Sequence, residues 1–333
     1  MNIDGCILDF DAVHAAPLQR KAPEDDWAQA RDIGTLPTSI YLLYQKAMFL
    51  SFGAAPRYLN DETHVLFSYL GMILRGLKEA FSEAHEARRG FVEEQAKVYD
   101  FGKKVKGETW DTDADMRARR HLRHFLFAIC NALDTMADLV ALMLPNVVPH
   151  LEIGEAQFTR IEKWLEKPLP PTGLLVTPAQ NVAMRLHAEL KSRVKCRGVE
   201  RGWLPYLRHL RNKAAHLGDA TFREFGLHDA DLNFYVFIPR QWPFIWEQEI
   251  KSAARSGKQQ RPYTPALIRE LLIHQDIVSY VNGALAKVTV VTDCLVGIMS
   301  DCYTQFENFP PNQAAIVELD SNSVRFSFKR FAG

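Results

Sequence analysis

The chain has 333 residues, 47% of them hydrophobic, enough to bury a substantial core in one large domain or two ordinary ones. Lysine plus arginine equals aspartate plus glutamate at 40 each, which argues against a protein that coats nucleic acid by bulk charge and leaves room only for a local basic groove. The five cysteines (Cys6, Cys130, Cys196, Cys294 and Cys302) contain no C-x-x-C pair, so no zinc-ribbon spacing is present; Cys130, Cys294 and Cys302 fall in apolar runs and read as buried thiols in a reducing compartment.

Residues 1–35 carry Pro17, Pro23 and a charged stretch and read as an irregular arm; the acidic start has no basic patch and does not read as a secretory signal. A helix is expected from about 37 to 51, followed by breaks at Gly53, Pro56 and Asn60-Asp61. A long helix from about 62 to 104 has Val65, Leu66, Tyr69, Leu70, Ile73, Leu74, Leu77 and Phe81 at helical spacing. Its second half is far more polar and is expected to project beyond the core. Asp113 opens a helix to about 144, with Leu122, Phe125, Ile129, Leu133, Met136 and Val140 on one stripe and Pro145 as its stop. Residues 145–177 form a proline-rich connector with a short amphipathic piece at 161–165. Helices at about 178–196 and 203–217 follow, the second with Gly218 in a C-cap position.

The period then changes. Residues 232–238 alternate as a strand ended by Pro239, inside an insertion spanning 230–264. A helix is expected from about 265 to 306, and residues 316–329 read as a hairpin turning at 320–323. The fold class expected is therefore mainly α, a bundle of long helices with a small antiparallel β element (232–238 and 316–329) as one sheet. The divisions are an arm at 1–35, a helical domain at 36–310, and a C-terminal hairpin at 311–333 packed on it. The most apolar stretch, 284–300, is interrupted by Lys287 and Asp293 and reads as core, so a soluble cytoplasmic protein without a membrane span is expected.

The segment WLPYLRHLRNKAAHLGD concentrates the chemistry. Leu207, Leu210, Ala214 and Leu217 make its apolar stripe, while Arg208, Asn212 and His216 share a second stripe flanked by Arg211. The R-x-x-x-x-H spacing occurs at Arg119/His124, Arg211/His216, Arg223/His228 and Arg269/His274, and spacing alone selects none of them. Context selects Arg211/His216: a polar residue follows the arginine, the small Ala214-Ala215 pair admits a neighbouring helix, and the motif closes an amphipathic run. Arg211 can grip a phosphate and offset charge growing on phosphorus; His216, with an ordinary pKa of about 6.5, can give or take a proton.

An Arg-Asn-x-x-x-His run ending a helix in a helical chain resembles the HEPN superfamily, whose signature is R-x(4–6)-H with a polar residue after the arginine. The likeness is close at the motif and loose over about 62–217 and the helix after 265. It implies an antiparallel helical bundle that pairs as a homodimer, two motifs facing each other, and a metal-independent endoribonuclease cleaving through the RNA 2′-OH. Such proteins serve as toxins or anti-phage effectors, often with an antitoxin or defence-system partner; others are non-catalytic modules binding a protein, RNA or nucleotide, which is the alternative here. Carried over by position, Arg211, Asn212 and His216 are the expected catalytic residues. A family branch places tyrosine two residues after the histidine as a modification target; Gly218 stands there in this chain.

Further candidates are Arg208 and Lys213 for substrate phosphates, together with Arg119, Arg120 and Arg123 in a basic run that opens the 113–144 helix against its dipole. Asp134 and Asp138, one turn apart, are candidate acids to orient Arg211 or His216. Trp242, Phe244, Trp246 and Tyr263 read more readily as core than as base-stacking residues, and His274 as a structural histidine. No phosphate-loop glycines, metal-ligand spacing or nucleophile elbow is present, so neither metal nor cofactor is expected.

Overall fold

The computed structural model describes residues 24–52, 61–104, 113–144, 147–168, 178–194, 203–216, 225–228, 234–238, 275–301, 313–320 and 323–330. These residues are mainly helical. The helices are α1 (Glu24–Asp32), α2 (Thr38–Phe52), α3 (Asp61–Lys104), α4 (Asp113–Met143), α5 (Phe158–Glu166), α6 (Pro178–Val194), α7 (Trp203–His216) and α8 (Ile277–Asp301).

Helices α3 and α4 run antiparallel and form the largest helix–helix contact. Gly76 lies level with Thr135, Gly90 with His121, and Glu94 with Arg117. The interface is packed by Leu74, Leu77, Phe81 and Phe91 from α3 and by Leu122, Phe125, Leu126 and Ile129 from α4, all fully buried. The polar second half of α3, expected from its sequence to project beyond the core, instead packs along it as far as Val98. Ala84, Ala87, Phe91, Gln95 and Val98 continue the buried stripe, their small members letting α4 lie close while Glu83, Glu86 and Glu93 face outward.

Helix α8 packs on α2, α6, α4 and α3. Polar clasps fix it: Ser39 Oγ donates to Asp293 at 2.7 Å, Arg88 Nε donates to Asn282 at 2.5 Å, and the Tyr99 hydroxyl donates to Asp276 at 2.6 Å. Asp276 also accepts from the Ser279 amide at 3.0 Å and so caps α8. That cap follows the pairing of Gln275 and Asp276 to β2 (Phe234–Ile238) and opens the helix at 277; the start expected near 265 lies outside the described residues. Thr292, fully buried, donates its hydroxyl to Val288 O at 2.8 Å, which satisfies a polar group inside the core. Two helices, α4 and 277–300, are long and apolar enough to cross a membrane, and most of each apolar window is buried inside the bundle.

The arm begins its order earlier than composition suggested: α1 occupies part of 1–35, with Trp27 stacked on Tyr44 at 3.7 Å and Lys78 over the indole. Gly34, at φ +73°, ends α1 in the left-handed conformation that glycine adopts without strain. Backbone ladders join β1 (Phe225–His228), β2 (Phe234–Ile238) and β3 (Gln275–Asp276), and separately β4 (Gln313–Asp320) and β5 (Ser323–Arg330). Residues 234–238 of the expected strand therefore pair with β1 and β3, and β4 and β5 form a separate sheet instead of joining it.

The Gly90–His121 contact gives a sharp packing test. A Cβ at position 90 would meet the His121 ring at 2.6 Å. Gly90→Ala is expected to destabilise the chain by about 1–3 kcal/mol through overpacking. In a His121→Ala background the same change is expected to stabilise, by on the order of 1 kcal/mol of helix propensity. Chemical denaturation of the four proteins in this cycle reads the reversal of sign.

Candidate functional site

Helix α7 docks on α4 through Leu204, Leu207, Leu210 and Ala214, all buried. Leu207, Leu210 and Ala214 belong to the stripe read from the sequence, whose fourth member, Leu217, lies outside the described residues; Leu204 extends it by one turn. Docking turns the flank of α7 toward α4 and α5. Arg211 there meets Asp134 of α4 at 3.8 Å, and Arg208 meets Glu162 of α5 at 2.5 Å. Arg211 is 31% exposed and Asp134 36%, whereas Arg208 and Glu162 are 22% and 15%. The first pair is thus the looser and wetter of the two.

Asp134 has a second task. Its other oxygen accepts from the Phe158 amide at 3.0 Å and so caps the first turn of α5, a position where α5 has no side-chain cap of its own. One carboxylate therefore ties α4 to α5 and α7 together. Asp138 is engaged elsewhere, accepting from the Gly154 amide at 2.8 Å in the loop before α5. Of the two acids singled out from the sequence, Asp134 meets the motif arginine and Asp138 holds a turn.

Burial sets the electrostatics of this corner. It raises the pKa of Asp134 above the usual carboxylate range, against the Phe158 amide, Arg211 and Arg208, which favour the charged form. It likewise raises Glu162, against Arg208. Cys130, one turn before Asp134 on α4, is pushed up to about 11 by burial against the pull of Arg211. Behind it lies Tyr280 of α8, partly buried, its phenol raised well above the ordinary value by burial and edge-on to Tyr206 of α7 at 5.9 Å. Buried Arg208 Nη1, Arg211 Nε and Glu162 Oε1 have no hydrogen-bond partner among the described residues.

The remaining candidates separate. Asn212 is exposed on α7; Lys213 and His216 lie within its helical backbone, and their side chains lie outside the described residues. The basic run of α4 is partly drawn into the α3–α4 seam. Arg117 pairs with Glu94 at 3.0 Å, Arg119 with buried Asp115 at 2.9 Å, and His121 covers Gly90. Arg123 is half-buried and Arg120 exposed. Trp242, Phe244, Trp246, Tyr263 and His274 lie outside the described residues. Sequence reasoning missed Glu162. Its only signal is a place on the flank of the buried Phe158, Ile161 and Leu165 stripe, and 46 residues separate it from Arg208.

Among the described residues no group of three His, Cys, Asp or Glu side chains is arranged to hold a metal ion. Comparison of the chain with family models, with curated proteins and with solved structures finds no match.

The raised acids carry a pH signature. A carboxyl whose pKa is higher folded than unfolded contributes stability fully below its ordinary range, and that contribution is lost as pH rises through the folded value. The wild type is therefore expected to lose stability relative to an Asp134→Asn/Glu162→Gln double variant as pH rises from about 4 to about 7. Paired thermal unfolding across this window measures it; a constant difference between the two proteins refutes the burial account.

Proposed function

We propose that the chain is a HEPN-like, metal-independent endoribonuclease working as a homodimer, with Arg211 and His216 as the catalytic pair and Asn212 beside them. The observation that carries the reading is Arg211 on α7, half-buried above Asp134, with Arg208 one turn away on the same side. A guanidinium drawn toward a carboxylate on a neighbouring helix is biased toward one orientation before substrate arrives, which lowers the entropy lost on gripping a phosphate. The antiparallel bundle of long helices agrees with the coarse architecture that the motif implies. The two separate antiparallel ladders, β1-β2-β3 and β4-β5, are additions to the bundle in this reading.

In this mechanism one His216 takes the proton from a 2′-OH, and the freed oxygen attacks phosphorus. The bond to the 5′-oxygen breaks, and His216 of a second copy protonates that leaving oxygen. Arg211 offsets the charge that builds on the phosphoryl oxygens. The products are a 2′,3′-cyclic phosphate and a 5′-OH end. A cytoplasmic toxin or anti-phage effector, restrained by an antitoxin or defence-system partner, is the setting this activity fits.

One observation favours a second reading, a non-catalytic binding module. Both α7 arginines already face carboxylates of their own protomer, so the motif as folded is partly neutralised. The two readings separate in a digestion of single-stranded RNA with end-group analysis. Arg211→Ala and His216→Ala are each expected to slow cleavage by at least about 100-fold while leaving the fold and the dimer intact. Cleavage unchanged in both variants ends the nuclease reading. Binding of RNA by the wild type without any cleavage establishes the binding module.

A further inference from the structure

The contact between Arg208 and Glu162 uses half of what the two groups offer. An arginine and a carboxylate can meet through two parallel hydrogen bonds, the fork-to-fork arrangement that gives the strongest pairing. Here a single contact runs from Arg208 Nη2 to Glu162 Oε2. Arg208 Nη1 and Glu162 Oε1 are both buried and have no hydrogen-bond partner among the described residues. Burying such groups without partners costs free energy, so the end-on pair is a poor final state for either one.

The frame around the pair is firm. Helix α5 is anchored by buried Phe158, Ile161, Trp164 and Leu165, and its first turn is capped by Asp134. Trp164 packs edge-on against His187 of α6 at 4.9 Å, and that imidazole is hydrogen-bonded to Lys167 O at 3.0 Å. Exchange at Arg208 therefore needs no movement of the helix; rotation of the Glu162 side chain toward solvent suffices. A phosphodiester oxygen can take over the Nη2 contact that the carboxylate leaves.

The geometry points to Glu162 as a built-in competitor: its carboxylate occupies the phosphate seat of Arg208 in the free protein, and an RNA phosphate must displace it. This extends the reading in which α7 presents its cations to RNA, and it assigns to α5 the control of that surface. Asp134 faces Arg211 in the neighbouring position, but it is also committed to capping α5 and so is the less exchangeable of the two acids. Glu162 donates nothing and caps nothing among the described residues; its one partner there is Arg208.

The test uses binding apart from cleavage. The probe is a fluorescein-labelled single-stranded 2′-O-methyl RNA oligonucleotide, which keeps the phosphates and lacks the attacking hydroxyl. Fluorescence anisotropy is measured for the full-length wild type, Glu162→Gln, Glu162→Asp, Arg208→Ala and the Glu162→Gln/Arg208→Ala double variant. Glu162→Gln is expected to tighten binding by about tenfold, since the lost competitor is a charged hydrogen-bonding group. Glu162→Asp, whose carboxylate is one methylene short of the seat, is expected to tighten it less. The gain is expected to vanish in the double variant, which binds like Arg208→Ala. Equal or weaker binding by both Glu162 variants overturns the proposal and makes Glu162 a positioning residue for Arg208. Should Glu162→Gln fail to fold, Glu162→Asp alone decides. Cleavage of ordinary RNA, followed in parallel, separates the two ideas. Tightened binding without cleavage in any variant rejects the nuclease and keeps the competitor. Cleavage in the wild type without tightened binding rejects the competitor and keeps the nuclease.

Discussion

The antiparallel pairing of α3 and α4 is the constraint from which the remaining helices take their places. Its closeness comes from small residues at the seam, Gly76 and Gly90 on one side and a run of alanines on both. Close approach brings Phe81, Phe91, Phe125 and Leu126 into one continuous core, where dispersion and loss of water contact act over many atoms at once. With that pair fixed, one flank of α4 is left for α5 and α7 and another for α8. The positions of Cys130, Asp134 and Asp138 on α4 then decide which polar groups the later helices meet.

At the α4–α5–α7 corner, charge and packing act against each other. Apolar contacts from Leu207, Leu210, Phe158 and Leu165 draw the helices together, and in doing so they withdraw two arginines and two carboxylates from water. The carboxylates answer with raised pKa values, which the arginines pull back toward the ordinary range. Such a cluster stabilises weakly in sum but orients strongly, because each alternative arrangement leaves a charge without a partner. Helix α5, short and flanked by a proline-rich connector, is held here by its buried aromatic residues and by the Asp134 cap.

Much of the helical framework was legible from the sequence. The stripes of α4 and α7 repeat at helical spacing without interruption, and the residues read as buried there, Leu122 to Val140 and Leu207 to Ala214, are buried. Asp134 was legible as a candidate partner of Arg211 because it sits on an apolar helix where a charge needs a reason. Three features were not legible. The polar half of α3 hides its stripe behind small residues and glutamates, so hydrophobic spacing alone understates it. The start of α8 depends on Asp276 finding both Ser279 and Tyr99, and the second of these is 177 residues away. The pairing of Glu162 with Arg208 is a tertiary event that no local pattern announces. The basic run at Arg117 to Arg123 was legible as charge, but its use was not, since Glu94 and Asp115 claim part of it.

The thiol of Cys130 sits beneath Arg211, 2% exposed, with a pKa raised to about 11. A thiol in that state is almost wholly protonated at neutral pH and unreactive toward electrophiles as long as α7 covers it. Lifting α7 would restore water and an ordinary acidity to the sulfur in one event. Alkylation at this one side chain therefore clocks the opening of the α4–α7 joint, and the molecule carries its own chemical reporter of how often the motif helix leaves its bed.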